Sequence, residues 1–347
     1  MKLFNKVNGQ ELKHRLQTSS EKRTTISFYK YHYILQPKIF RNHLYILLDQ
    51  IGVLGRIYLA YEGINGQISV PSHRVNELRA AMDTIIFLQG IRFNQAVEDD
   101  GKSFFKLAIK VREKIVADGL PDHEYDVTQA GIHVNAQDFN RILEDPNTIT
   151  IDMRNHYESE VGHFQGAVTP DVVTFRESLP VIEQQLEGMK DKNLLMYCTG
   201  GIRCEKASAF FKHKGFKNVF QLDGGIIEYA HQVQSKNLEN KFLGKNFVFD
   251  ERLGEKIGNE IIAKCHQCGS TCDTHVNCAN DACHLLFIQC EACKSKFQSC
   301  CSSKCRDFNQ LSVDEQTELK RTTSFNGTKF GKGRYKAQKG GVDMDLS

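Results

Sequence analysis

The 347-residue sequence lacks a long apolar run: no segment approaches the roughly 18 residues that a membrane-spanning helix needs. The stretch from Met1 to Gln10 also lacks the apolar core of a secretory signal peptide. These absences argue against a membrane protein and against a secreted one, so we expect a cytoplasmic protein with no membrane partner. The hydrophobic content of 40% is ordinary for a globular chain, and the length allows two or three domains.

A strong net charge is absent as well, because 45 basic residues nearly balance 42 acidic ones. The distribution of charge is more informative, since no Asp or Glu occurs between Lys320 and Lys339. We expect residues 311–347 to form a short helix (Leu311 to Lys320) and then a basic flexible tail. Such a tail either follows an RNA backbone, with aromatic rings stacking on unpaired bases, or is a solvated terminus without a ligand. Its basic and aromatic residues are Lys320, Arg321, Phe325, Lys329, Phe330, Lys332, Arg334, Tyr335, Lys336 and Lys339.

Cysteine is absent from the whole chain before Cys198. Two of the twelve cysteines, Cys198 and Cys204, lie in one glycine-containing segment, and the other ten fall between Cys265 and Cys305. A reducing cytoplasm keeps thiols free, so this clustering indicates metal-binding or catalytic cysteines rather than a disulfide framework.

The N-terminal part, placed at residues 1–120, has the order strand, helix, hairpin, helix, strand of a ferredoxin-like α+β sandwich. Pro37 is well placed to begin the first helix, and Gly52 can end it. The Asn-Gly pair in Glu62 to Gly66 predicts the turn of the hairpin. The expected elements are strands at 26–32, 56–61, 67–70 and 103–111 and a second helix at about 74–86.

The pattern then changes to short apolar strands that alternate with helices, which predicts a doubly wound parallel sheet over residues 128–235. Ligand sites in such sheets lie at the carboxyl ends of the strands, and Cys198 directly follows the strand Leu194 to Tyr197. The expected elements are strands at 148–151, 194–197 and 219–222 and helices near 137–144, 177–189 and 204–214.

The segment Cys198-Thr-Gly-Gly-Ile-Arg203-Cys204 has the composition of a reactive loop. Only the thiolate of a cysteine is strongly nucleophilic, and an ordinary pKa of about 8.5 leaves most of a thiol protonated at neutral pH. Two glycines allow successive backbone N–H groups to point at one sulfur, and both Arg203 and the start of a helix add positive charge. Cys198 is therefore the candidate nucleophile and Cys204 a second thiol; the alternative is that each is a small buried apolar side chain.

The loop resembles the active site of rhodanese-type sulfurtransferases, in which six residues from cysteine to arginine surround a persulfide sulfur. Asp152-Met-Arg154 resembles that family's opening strand, and Gly162-His163-Phe-Gln-Gly-Ala167 resembles its Gly-His-x-x-Gly-Ala turn. Leu222-Asp-Gly-Gly225 resembles its closing signature. Phosphatases of this fold have a loop one residue longer, which argues against phosphate-ester hydrolysis. Arg154 either fixes the end of its strand or faces an anionic substrate. The resemblance implies that the substrate is held by Thr199, Gly200, Gly201 and Ile202.

The cysteine-rich segment, placed at residues 240–310, contains two CxxC pairs with the spacing of zinc knuckles. Sites made only of cysteine leave no open coordination position, so we expect structural zinc. Histidines 266, 275 and 284 are alternative ligands, and disulfides are an alternative to metal. The preferred first site is Cys265, Cys268, Cys290 and Cys293, and the second is Cys278, Cys283, Cys301 and Cys305.

Taken together, the N-terminal sandwich with Glu62-Gly-Ile-Asn-Gly66, the Cys198 loop and the cysteine-rich segment resemble the bacterial tRNA uridine-34 hydroxylases. The resemblance spans nearly the whole chain and implies oxygen-dependent formation of 5-hydroxyuridine at the wobble position, with tRNA as partner. It also implies that Cys198 and Cys204 match the family's paired cysteines, with Arg203 completing the catalytic set, and that the Glu62 to Gly66 hairpin faces the substrate. The sequence shows no dinucleotide fingerprint and no two-histidine, one-carboxylate set, so no flavin or nicotinamide site is expected.

Two other functions remain open at this point. The length of the loop alone favours a sulfurtransferase that carries a persulfide on Cys198. The basic tail alone favours an RNA-binding or scaffold protein with an inactive rhodanese domain. The sequence does not predict protein partners or the oligomeric state.

Overall fold

The computed structural model describes residues 3, 7–121, 124–327 and 333–336. Three parts follow one another along the chain and pack together. None of the helices in these ranges combines the length and the apolar character needed to cross a membrane.

The N-terminal part is a five-stranded sheet covered by two helices, which confirms the predicted α+β sandwich. The strands lie in the order β4-β1-β3-β2-β5. Leu44, Leu48, Leu78 and Met82 of the helices are fully buried against the sheet, so the apolar face of each helix explains its position. The elements are α1 (Gly9–Thr18), β1 (Arg23–Tyr31), α2 (Pro37–Gln50), β2 (Leu54–Ala60), β3 (Gly63–Pro71), α3 (Val75–Asp83), β4 (Asn94–Gln95) and β5 (Leu107–Val111).

The edges of this sheet differ from the expected order. The two-residue β4 pairs antiparallel with the outer side of β1, whose other side pairs with β3, and β5 pairs parallel with β2 at the opposite edge. The strand predicted at 103–111 is therefore an additional edge strand. No periodic pattern predicts β4, because two residues are too few to show one.

The predicted turn at Asn65-Gly66 is wrong. The hairpin turns at Tyr61 and Glu62, since Ala60 already pairs with Gly63, and both Asn65 and Gly66 lie inside β3. A Cβ atom on Gly66 would come 2.4 Å from the ring of Phe28. Gly66 therefore allows the Phe28 ring to pack closely against the strand. It does not serve a turn that requires a positive φ.

The central part confirms the predicted parallel sheet, with strands in the order β6-β10-β9-β7. The sequence analysis had not predicted the short β6 or the helix after Gly225. A separate three-stranded sheet, β12-β11-β8, joins the central part to the next one. The elements are β6 (Ile132–Val134), α4 (Ala136–Leu143), β7 (Thr148–Asp152), α5 (His156–Ser159), β8 (Gly162–Phe164), α6 (Phe175–Gln185), β9 (Asn193–Tyr197), α7 (Ile202–His213), β10 (Asn218–Leu222), α8 (Gly225–Lys236), β11 (Phe242–Asn246) and β12 (Glu255–Lys256).

The cysteine-rich part has little regular structure, and buried cysteines make up much of its two small cores. Its elements are β13 (His275–Asn277), β14 (Leu286–Ile288), α9 (Glu291–Phe297), α10 (Ser303–Asn309) and α11 (Val313–Leu319).

The described residues of the predicted tail contact the folded protein. Arg334 forms an ion pair with Asp171, and Tyr335 stacks on Phe287 with ring centroids 6.1 Å apart. Phe325 packs on Phe308, so these two tail rings have protein partners rather than free faces. Lys329, Phe330, Gly331, Lys332 and Lys339 lie outside the described residues.

Candidate active site between the N-terminal and central parts

The loop that follows β9 curls around the sulfur of Cys198. Gly201 has a φ of 98° and caps α7, a conformation that favours glycine. Its N–H donates to Cys198 Sγ at 3.1 Å. Below the loop, the N–H of Ile226 donates to the carbonyl oxygen of Cys198 at 3.0 Å, and a Cβ on Gly225 would collide with that oxygen at 2.6 Å. The start of α8 therefore supports the loop from beneath.

The surroundings of Cys198 favour its thiolate. Complete burial alone would raise the pKa, but a hydrogen bond from Cys204 and the positive charge of Arg203 lower the pKa of Cys198 to about 6. Burial and the neighbouring Cys198 raise the pKa of Cys204 well above its ordinary value. The two pKa shifts therefore favour the thiolate form of Cys198 and the thiol form of Cys204.

Arg203 is held by a carboxylate on another element. Its Nη1 and Nη2 donate to Oε2 and Oε1 of Glu158 at 2.7 and 2.8 Å. The Glu158 side chain is fully buried and also accepts from the backbone N–H of Asn155 at 3.1 Å. The guanidinium consequently keeps a fixed position beside the loop. Sequence reasoning missed Glu158, although Asn155-x-x-Glu158 has the spacing of a helix N-terminal capping box.

The N-terminal part closes over the loop. Tyr29 Oη donates to Glu205 Oε1 at 2.9 Å, and Tyr31 Oη donates to the Ile202 carbonyl at 3.2 Å. Arg92 forms a bidentate ion pair with Asp223, with N–O distances of 2.6 and 2.7 Å. These contacts place β1 directly above the start of α7.

A cavity of about 390 Å³ lies between the two parts, and we call it the interface cavity. Five predicted residues line it: Cys198, Thr199, Gly200, Ile202 and Arg203. The sequence analysis missed most of its remaining wall. One signal was available, because Thr25, Ser27 and Tyr29 alternate with the apolar residues of β1. That alternation indicates a second face of β1 that is not part of the N-terminal core. The missed wall residues include Ser27, Tyr29, Arg56, Asn94, Phe249, Arg252 and Glu255.

Arg154 does not line the interface cavity, so the prediction that it binds substrate does not fit its position. The side chain is fully buried, and Nη2 donates to Asp152 Oδ2 and to the Gly162 carbonyl, both at 2.6 Å. These hydrogen bonds fix the end of β7. That structural role is the alternative to substrate binding that the sequence left open for Arg154. Asp152 neutralises the buried charge of Arg154 and occupies the guanidinium N–H groups that would otherwise bind a substrate anion.

The Glu62 to Gly66 segment has only one residue in the cavity wall, Asn65. Glu62 instead accepts from the backbone N–H of Ile115 at 2.7 Å and forms a 2.8 Å ion pair with the buried Lys206 of α7. Most of this segment therefore joins the N-terminal part to the central part.

The cysteine-rich part brings together both predicted sets of thiols, and all twelve cysteines are free. In each set the four Sγ atoms lie within 4.8 Å of one another, so each could hold a metal ion. Cys268 and Cys290 are 3.6 Å apart and Cys283 and Cys301 are 3.7 Å apart. A tetrahedral ion with Zn–S bonds of about 2.3 Å separates its sulfurs by about 3.8 Å, so the donors fit. We call Cys265, Cys268, Cys290 and Cys293 the first cysteine set and Cys278, Cys283, Cys301 and Cys305 the second.

Three family models match successive parts of the chain. A UPF0176 acylphosphatase like domain matches residues 23–115, a rhodanese-like domain matches 135–232 and a rhodanase C-terminal model matches 243–306. Among solved structures, the rhodanese-like domain of an Anabaena sp protein covers 32% of this chain and 78% of its own, with 21% identity and a TM-score of 0.27.

Full-length relatives are much more similar. A protein of Photorhabdus laumondii named tRNA uridine(34) hydroxylase is 50% identical over 340 residues, which cover 97% of this chain and 96% of the relative. A protein of the same name from Pectobacterium carotovorum is 52% identical over 329 residues, covering 94% and 92%. Such identity across all three parts, with the paired thiols and the two cysteine sets in place, means that this chain belongs to the tRNA uridine(34) hydroxylase family.

Proposed function

We propose that this protein hydroxylates uridine at position 34 of tRNA to 5-hydroxyuridine in the cytoplasm, with molecular oxygen as co-substrate. The observation that carries the proposal is the identity of about 50% along nearly the whole chain to proteins named for this reaction. A partial match to the rhodanese-like domain would not suffice, because that fold is compatible with several chemistries.

The interface cavity supports a nucleobase as the reacting group. Its volume of about 390 Å³ lies within the range of pockets that enclose small ligands, and far exceeds the space that one sulfur atom needs. Aromatic and apolar side chains such as Tyr29 and Phe249 are available to cover the flat faces of a base. An enzyme that modifies a base must take it out of the stack, and a cavity between two parts suits a flipped nucleotide.

The paired thiols supply the right number of electrons for this reaction. When one oxygen atom of O₂ enters the C5–H bond, the other must be reduced to water, which consumes two electrons and two protons. Oxidation of the Cys198 thiolate and the Cys204 thiol to a disulfide releases two electrons and one proton, and solvent supplies the second proton. A cellular thiol reductant then restores the pair. The lowered pKa of Cys198 and the raised pKa of Cys204 support this role, because they leave one thiolate beside one thiol.

The two cysteine sets are proposed to hold structural zinc. Thiolate-only donors at the observed spacing suit zinc. The second set is buried in one core of the cysteine-rich part, and Cys265 and Cys293 of the first set are buried in the other, whereas Cys268 is exposed. Zinc therefore maintains the fold that positions β11 and β12. The wall residues Phe249, Arg252 and Glu255 come from the segment around β12.

A persulfide on Cys198 is the other candidate, favoured by the loop of six residues from cysteine to arginine. It predicts thiocyanate release from thiosulfate and cyanide that disappears in Cys198→Ser. Absence of a Cys198 persulfide with every sulfur donor tried would eliminate it.

The test of the proposed hydroxylation is a comparison of tRNA nucleosides by mass spectrometry. In a strain that lacks this gene and any redundant pathway, 5-hydroxyuridine derivatives should fall, and the wild-type gene should restore them. An unchanged level in the deletion strain would refute the function.

A further inference from the structure

Four buried polar atoms in the wall of the interface cavity lack a partner. Among the described residues, Ser27 Oγ, Asn94 Oδ1, Asn155 Oδ1 and Glu255 Oε2 make no hydrogen bond, and all four residues line the cavity. Asn94 is only 4% exposed. A buried polar group without a partner is costly, so such groups in a cavity wall indicate a ligand that completes them.

Two of these residues lie side by side next to the reactive loop. Ser27 on β1 and Asn94 on β4 are directly opposite each other in the strand pairing. A Cβ atom built on Gly200 would lie 3.8 Å from both Ser27 Oγ and Asn94 Nδ2. The pair therefore lies against the backbone of the loop that carries Cys198.

The orientation of the Asn94 amide follows from its neighbour. Nδ2 lies 3.5 Å from the carbonyl oxygen of Gly200, which can only accept a hydrogen bond. Oδ1 is consequently the free atom and acts as an acceptor, whereas the Ser27 hydroxyl is able to donate. An acceptor beside a donor is a poor match for a phosphate, which offers only acceptor oxygens.

We propose that Asn94 and Ser27 bind the Watson–Crick edge of a flipped uracil base, with N3–H donating to Asn94 Oδ1 and O4 accepting from Ser27 Oγ. Uracil carries N3–H between two carbonyls, which matches the adjacent acceptor and donor. O4 is the carbonyl next to C5, so contact of O4 with Ser27 turns C5 toward the loop of Cys198. This inference rests on the proposed function and specifies how the base is recognised.

The test measures the affinity of the full-length protein for anticodon stem-loop RNAs by fluorescence anisotropy. The RNAs carry uridine, 3-methyluridine, 4-thiouridine or an abasic site at position 34. Loss of one neutral hydrogen bond costs about tenfold in affinity, so we expect 3-methyluridine to weaken wild-type binding by about that factor. The weaker acceptor of 4-thiouridine should reduce affinity by a smaller factor.

Variants of Asn94 and Ser27 assign each loss of RNA affinity to one side chain. Asn94→Ala removes the acceptor and leaves room for the methyl group, so uridine and 3-methyluridine RNAs should bind it equally. A thermal unfolding midpoint of Asn94→Ala close to the wild-type value separates a loss of recognition from a loss of folding. Ser27→Ala should no longer distinguish uridine from 4-thiouridine. Asn76→Ala, at an exposed position of α3, is the matched control and should behave like wild type.

Equal wild-type affinity for uridine and 3-methyluridine RNAs, or full discrimination in Asn94→Ala, would overturn the inference. Failure of the wild-type protein to bind any of the RNAs would overturn both the inference and the proposed function. Restoration of 5-hydroxyuridine by the wild-type gene in the deletion strain, together with equal affinities, would refute only the base contacts.

Discussion

Arg203 and Glu158 form a bidentate ion pair with N–O distances of 2.7 and 2.8 Å, and the Glu158 side chain is fully buried. The pair joins α5 to α7 and keeps a positive charge beside the sulfur of Cys198. Burial of two charges is tolerable only while each has its partner.

Replacement of Glu158 by glutamine should therefore destabilise the protein. It leaves the Arg203 charge buried without a counter-ion, and we expect the free energy of unfolding to fall by about 3 kcal/mol. Urea denaturation measures the loss. Glu183→Gln is the control, because the Glu183–Lys214 pair is on the surface and its loss should cost under about 1 kcal/mol. Equal effects of the two substitutions would contradict the role of the buried pair.

The alkylation rate of Cys198 should depend on pH with a midpoint of about 6, its lowered pKa. Because only the thiolate reacts, the rate rises as the pH increases through that value. Arg203→Gln and Cys204→Ala each remove a stabilising contact and should move the midpoint upward, whereas Cys204→Ser keeps a donor and should move it less. Iodoacetamide labelling with peptide mass spectrometry measures the rate. A wild-type midpoint near 9 would contradict the assignment.

The purified protein should contain two zinc ions per chain, measured by inductively coupled plasma mass spectrometry. Cys268→Ser disrupts the first cysteine set and Cys283→Ser the second, so each should retain about one ion. Cys272→Ser is the control, since Cys272 belongs to neither set and should leave both ions bound. Retention of two ions in both set variants would show that the donors are wrongly assigned.

Arg56 lines the interface cavity and also the neighbouring cavity that contains Phe105 and Lys106. Its guanidinium makes no hydrogen bond or ion pair with any residue that the structure describes, so it is available to an RNA phosphate. Arg56→Ala should weaken tRNA binding and reduce the slope of log K against log salt by about 1. Arg141→Ala, at an exposed position of α4 outside both cavities, should leave the slope unchanged. An unchanged slope in Arg56→Ala would argue against the phosphate contact.

Gly66→Ala should lower the free energy of unfolding by about 1–3 kcal/mol, because the added Cβ collides with the Phe28 ring. Phe28→Leu should partly restore stability in the double variant by making room for the methyl group. Thermal unfolding of the two single variants and the double variant measures the coupling. If the two substitutions have additive effects on stability, contact with the Phe28 ring is not the reason for a glycine at position 66.

Features set by local spacing were predictable from the sequence. The loop of Cys198 lies between a compact apolar strand and a helix, so its position followed from the pattern of β9 and α7. The thiols of each cysteine set lie together as the spacings predicted. In the first set each CxxC turn brings its own two thiols together, and in the second set the paired cysteines are also only four or five positions apart.

Features that depend on docking of distant segments were not predictable. Ser27, Arg56 and Asn94 belong to the N-terminal part, and they reach the cavity only because contacts such as Tyr29–Glu205 place β1 over the loop. Arg154 directly follows β7, but its ion pair with Asp152 holds the guanidinium in the core instead of in the cavity wall. The Asn65-Gly66 pair has the composition of a turn, and tertiary packing against Phe28 overrides that local preference.

The most direct test of the central claim is to restore a deletion strain with single cysteine variants and to quantify 5-hydroxyuridine derivatives in its tRNA by mass spectrometry. If Cys198 takes part in the hydroxylation, the wild-type gene and Cys272→Ser restore the modification, whereas Cys198→Ser does not, although all three proteins accumulate equally. Full restoration by Cys198→Ser would show that the reaction does not need this thiol.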